Sequence, residues 1–301
     1  MAAKRKILWG RAVFICVLIL GVTAGVIVGA VQAVRHAGAS KNASSLAAEE
    51  IAAPLSAPEY DEPLDEPYAS YVEQIKQTYS YSPELAHIIE HIEQYSEDML
   101  KTLLLRPEEI SFLSRYPECV QYGLDNWKNI DVSSDYTPGE IPLFIQWDDR
   151  WGYEIYGSDV FGLNGCGPTC FAMVYVGLTG DTSQNPLSIG AMCIQNNYYY
   201  YQQGTGKELF DKGVAKYGLS SKQLPLTESA VLGSLRAGRP VVVNVGKGDF
   251  TSYGHYIVLT GVAEDGTIRV NDPNSPEKSA VTWKLSRLLS QTYTMWSVWK
   301  S

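Results

Sequence analysis

The chain has 301 residues, 45% hydrophobic and 19% charged, long enough to bury one sizeable core or two modest ones. That composition excludes a wholly disordered chain, a collagen repeat and a multispanning transporter. Net charge is −9 and uneven: residues 1–41 hold six Lys/Arg and no Asp/Glu, which leaves 18 basic against 33 acidic side chains beyond them, a body that repels nucleic acid.

Ala12 to Val31 is a run of 20 residues without a charge. As a helix it spans roughly 30 Å, the thickness of a bilayer's hydrocarbon layer. Lys4, Arg5, Lys6 and Arg11 precede it, and Arg35 and Lys41 follow. This bias predicts a cytoplasmic N-terminus with everything after about residue 35 outside the cell membrane. A cleaved signal peptide is the competing reading, because Ala37-Gly38-Ala39 suits a cleavage site. The length of the apolar run and the placement of Arg35 favour an uncleaved single-pass anchor, so that 1–38 reads as basic tail and membrane helix. Both readings export the rest. Gly21, Gly25 and Gly29 fall on one helix face and would let two copies approach closely as a homodimer, although glycine is common in membrane helices without that role.

Residues 39–67 combine Ala, Ser and Pro with seven carboxylates between Glu49 and Glu66, the composition of an extended, solvated tether. Asn42-Ala43-Ser44 within it matches a glycosylation acceptor, a pattern short enough to arise by chance. From 68 to 135 the pattern is helical. Ser82 is placed to cap a helix opened by Pro83, and Leu85, Ile88, Ile89 and Ile92 form its apolar stripe. Further helices are expected over about Ser96–Leu105 and from Pro107 to before Pro117.

Residues 136–301 read as a mixed domain. An apolar helix follows Pro168, another covers about Gly206–Tyr217, and a third runs from a Thr227 cap to Arg236. Strands are expected at Pro240–Val245 and His255–Thr260, with Asp265-Gly266 turning the chain into Thr267–Val270. Helices first and consecutive antiparallel strands last predict an α+β fold.

Two constellations carry candidate chemistry. His87-Ile88-Ile89-Glu90-His91 fits an inverted zinc-peptidase pattern. Its polar residues lie opposite the apolar stripe, and no later helix supplies a third ligand, so a solvated helix face is the preferred reading. The second is Asn164-Gly165-Cys166-Gly167-Pro168-Thr169-Cys170. Flanking glycines allow a sharp turn and close approach of a substrate, and Pro168 suits a first helical turn. Cys166 is thus expected at a helix start, where the dipole and free N–H groups favour a thiolate. An ordinary buried thiol, or a disulfide to Cys119, Cys170 or Cys193, is the plainer alternative. Cys170, one turn on, reads as packed.

His255 is the one histidine in the mixed region, and it opens an apolar strand. Asp272 closes the next strand, so pairing of the two strands would bring this carboxylate to the imidazole. A turn starter before Pro273 is the other reading of Asp272. Gln146 stands 20 residues before Cys166 and could donate an amide N–H to an oxyanion, or could be an exposed loop residue. Tyr198–Tyr201 could line a cleft or pack.

In these pieces the sequence resembles the C39-like family of papain-like cysteine peptidases, known for bacteriocin leader processing. The resemblance rests on Ile141-Pro142 through Gln146, Gly165–Thr169, Gly248-Asp249-Phe250-Thr251, Gly254–Gly261 and Val270–Pro273, and it covers about 136–301. Arg106–Glu109 and Arg115-Tyr116-Pro117 add a likeness to membrane-anchored relatives. The resemblance implies a papain-like fold with Cys166 as nucleophile, His255 as base, Asp272 as orienting acid and Gln146 as oxyanion donor. It implies a peptide or protein substrate and no metal or organic cofactor. A retired peptide-binding module, or a peptidoglycan amidase or acyl transferase using the same triad, is the alternative.

Overall fold

The computed structural model describes residues 63–122 and 130–301. The expected membrane span at 12–31, with Cys16, Gly21, Gly25 and Gly29, lies outside these residues, as do the Asn42 acceptor and most of the tether. Among the described residues no helix is long and apolar enough to cross a membrane. The chain divides into two compact units, one ending at Ile110 and the other spanning Ser111–Ser301.

The first unit is built from short capped helices: α1 (Tyr68–Thr78), α2 (Pro83–Glu90) and α3 (Glu97–Leu105). Ser82 accepts from the Leu85 N–H and Ser96 from the Met99 N–H, each at 3.2 Å, so each helix start is satisfied by the residue the sequence offers there. Leu85, Ile88, Ile89 and Ile92 are all buried, as their spacing predicts. After the 3₁₀ turn Pro107–Glu109, α4 (Ile110–Ser114) begins at the boundary between units, and α5 (Tyr116–Tyr122) follows.

In the second unit a small hairpin, β1 (Ile155–Tyr156) and β2 (Asp159–Val160), leads into α6 (Phe161–Asn164). Then comes the central helix α7 (Cys166–Thr179). From Gly167 to Val176 every residue of α7 is buried, the signature of a helix that is apolar all round and enclosed by its domain. Next is α8 (Pro186–Gln195), where Asn185 and Ser188 form a reciprocal capping box. A second hairpin, β3 (Tyr199–Tyr200) and β4 (Gly204–Thr205), precedes α9 (Glu208–Asp211). The single helix expected over 206–217 is thus broken into α9 and the 3₁₀ turn Gly213–Tyr217.

The rest is an antiparallel sheet: β5 (Leu219–Gln223), β6 (Val241–Val245), β7 (His255–Val262), β8 (Ile268–Asn271), β9 (Thr282–Trp283) and β10 (Thr292–Lys300). Their order is β5-β10-β6-β7-β8-β9, so the last strand inserts between β5 and β6. The helices α10 (Glu228–Arg236), α11 (Pro276–Ser279) and α12 (Leu285–Leu289) complete the unit. The α+β expectation holds. Side-chain alternation divides the sheet between two cores. Val242, Tyr256, Val258, Trp296 and Val298 join α7, while Val243, Ile257, Leu259, Val270 and Met295 meet Val231 of α10 and Leu288 of α12.

Candidate active site

Cys166 is the first residue of α7, after Gly165 as the cap. No side chain caps this end, which leaves the first N–H groups of the helix at the sulfur. The glycines on either side have a reason different from a sharp turn, since neither adopts a positive φ. A Cβ on Gly165 would fall 2.3 Å from the Phe161 ring, and one on Gly167 would fall 2.7 Å from Thr205 Cβ. The glycines let the protein's own walls close around the thiol.

His255 opens β7, paired with Val245, and Asp272 follows the last residue of β8. Adjacent pairing of β7 and β8 brings the two side chains together: His255 Nε2 lies 2.7 Å from Asp272 Oδ1. The same oxygen accepts from the Asn274 N–H at 2.9 Å, and the Asp272 N–H donates to Ser279 Oγ at 2.8 Å. The carboxylate is 0% exposed and the imidazole 5%, so the contact is shielded from water.

With Nε2 engaged by Asp272, Nδ1 is the ring nitrogen left to hydrogen-bond Cys166. Burial opposes the charge on His255, but the Asp272 carboxylate and the Cys166 sulfur outweigh it and raise the imidazole pKa to about 9. Burial likewise pushes the Cys166 thiol up. The hydrogen bond and charge of His255, with the backbone of Tyr256 and Gly167, outweigh that and leave the thiol pKa below its ordinary value. Cys170, fully buried, is pushed well above its ordinary value, and burial raises Cys193 to about 12. Cys119, Cys166, Cys170 and Cys193 are all free thiols. One sulfur of these four is tuned toward thiolate beside a base.

Gln146 is buried, at 1% exposure, rather than a loop glutamine in solvent. Its segment runs beside the Asp272 loop: the Gln146 N–H donates to Pro273 O at 2.7 Å, Trp147 Nε1 to Asn274 O at 3.2 Å, and Asn271 Nδ2 to Ile141 O at 3.1 Å. The Gln146 amide nitrogen donates to Gly162 O at 2.6 Å and to Leu163 O at 3.3 Å. In this state the amide holds the turn that leads into Cys166.

A cleft of about 470 Å³ lies over Cys166 and His255, walled by Gln202, Gly204, Thr205, Asn244 and Tyr253. Sequence reading missed most of this wall, because β3 and β4 are two-residue strands with no periodicity to detect. The aromatic run at 198–201 was the available signal, and it divides. Tyr198 packs against the core while Tyr200 is exposed. The Gly248–Thr251 piece is structural: Asp249 takes two hydrogen bonds from Arg287, each 2.7 Å, and Phe250 is buried, which fixes the loop that delivers His255.

The His87–His91 pattern lies in the first unit. Its histidines are half-buried rather than solvated, with ring centroids 4.5 Å apart, and Gln94 Nε2 donates to His91 Nδ1 at 3.2 Å.

A family model described as the Peptidase_C39 like family matches residues 139–301. No curated protein matches the chain significantly. Among solved structures, the peptidase domain of Streptococcus ComA, described as a bi-functional ABC transporter involved in a quorum sensing pathway, is similar over 45% of this chain and 90% of that one, at 20% identity and a TM-score of 0.35.

Proposed function

Because this chain belongs to the Peptidase_C39 like family, we propose that it is a cysteine peptidase with a papain-like arrangement, in which Cys166 attacks a peptide bond with His255 as its base. The observation that carries the reading is the buried relay from Asp272 Oδ1 to His255 Nε2, with the same imidazole hydrogen-bonded to Cys166, the one cysteine of depressed pKa among the described residues. Cys166 Sγ, having given its proton to His255 Nδ1, forms a bond to the amide carbonyl carbon. The Cys166 backbone N–H and the Gln146 amide hold the resulting oxyanion. The weaker of the two Gln146 contacts, to Leu163 O, is the one released for that purpose. His255 then protonates the leaving amine as the C–N bond breaks. Water, deprotonated by the same ring, hydrolyses the thioester and returns the thiolate. Asp272 keeps the ring oriented and supports its positive charge. A membrane span over 12–31 holds the peptidase on the extracytoplasmic side; the basic flank of that apolar run supports this placement.

A second reading is a peptide-binding module that no longer cuts. The Gln146 amide favours it, since both contacts it makes are to backbone carbonyls. Iodoacetamide labelling from about pH 4 to about pH 9 separates the two. Selective modification of Cys166 at acidic pH, lost in His255→Ala, is the expected result. Labelling that tracks an ordinary thiol titration would sink the peptidase reading.

A further inference from the structure

The active-site cleft does not end at Tyr256. A second concavity of about 410 Å³ shares Gln203, Gly204, Thr205, Asn244 and Tyr256 with it, so the two adjoin along those residues. The far end is lined by Tyr200, Lys207, Glu208 and Tyr293, and the two tyrosines are 44% and 64% exposed. Gly206 lies at its floor. A Cβ there would fall 2.4 Å from Glu208 Oε2 and 2.4 Å from the Tyr200 ring, so carboxylate and ring edge flank one spot. Glu208 Oε2 is shut off from solvent and accepts no hydrogen bond, and among the described residues no cation pairs with Glu208.

Resting on the peptidase reading above, we propose that this far concavity is a specificity subsite for a Lys or Arg side chain of the substrate, which ends at Glu208 between Tyr200 and Tyr293. The long alkyl stem lies on the tyrosine rings, which also attract the cation through their faces. The guanidinium or ammonium pairs with the carboxylate of Glu208, which lines that concavity. Lys207, on the same rim, makes an acidic side chain the competing occupant.

The test uses internally quenched peptides in which each position in turn carries Arg, Lys, citrulline, norleucine or Glu. The full chain should cleave best with Arg or Lys at one position, by on the order of tenfold over citrulline, mainly through KM. Glu208→Gln should bring that ratio close to one, Tyr293→Ala should lower it, and added salt should shrink it. A ratio that survives both substitutions, or a preference for Glu abolished by Lys207→Ala, overturns the subsite. If no peptide is cleaved and Cys166 shows no acid-pH labelling, the peptidase reading has failed on its own. Fluorescence anisotropy of the same peptides with Cys166→Ala then decides the subsite: tighter binding of the Arg peptide, lost with Glu208→Gln, retains it, and equal binding of all peptides overturns it.

Discussion

At Cys166 two opposing effects act on one sulfur: enclosure disfavours the thiolate, and the charged imidazole favours it. The second prevails because Asp272 keeps His255 protonated up to about pH 9. The signs fix a pH profile. Peptide turnover should rise on the acid side as the thiol ionises below its ordinary pKa, and fall on the alkaline side as His255 loses its proton near pH 9. Asp272→Asn removes the charge that raises the imidazole pKa, so the alkaline limb should move to lower pH; an unmoved limb in a rate titration would contradict the assignment. Gln146→Ala should lower kcat by about 10²–10³ with little change in KM if the amide holds the oxyanion, and kinetics on one quenched peptide would resolve the two constants. The positions of Cys166 at a helix start and of His255 and Asp272 at strand ends were legible in the sequence because local pattern reveals such boundaries. The carbonyls that hold Gln146 were not, since that contact spans 16 residues and depends on how the short β1–β2 hairpin folds the chain back.

Among the elements, α7 meets the hairpin β3–β4 where the first depends on a missing side chain. Gly167→Ala presses a methyl group against Thr205 Cβ, backbone-attached and unable to swing away. It should cost about 1–3 kcal/mol in urea unfolding, and Thr205→Gly in the same chain should recover most of that. The capping box of α8 provides an independent case. Asn185→Ala frees the Ser188 N–H and should cost about 1 kcal/mol, read from the same unfolding midpoint. The same three-residue spacing makes Ser82 readable as the cap of α2, whereas no helix over 186–195 is expected from the sequence. The short strands β1 to β4 are not readable either, because two residues establish no period, and only their partners across the turn define them.

On the scale of the whole second unit, the sheet separates the core around α7 from a supporting one. Tyr256 and Val258 pack with α7, whereas Met295 and Val243 pack with α10 and α12. Met295→Ala, at a fully buried position on the supporting side, should lower stability by about 2–5 kcal/mol while leaving the pH profile of Cys166 labelling in the folded protein unchanged. Denaturant titration and labelling together would check both halves. By itself the sequence determined the α+β class, the helix that presents Cys166 and the β6–β7–β8 meander, because hydrophobic period, caps and tight turns are written in neighbouring residues. Only the tertiary structure decided that β10 threads between β5 and β6, that Thr205 and Tyr253 wall the cleft, and that Glu208 lines the concavity beside it. Those facts depend on contacts between residues far apart in the chain, and no local pattern of side chains encodes which distant partner the burial of apolar surface will choose.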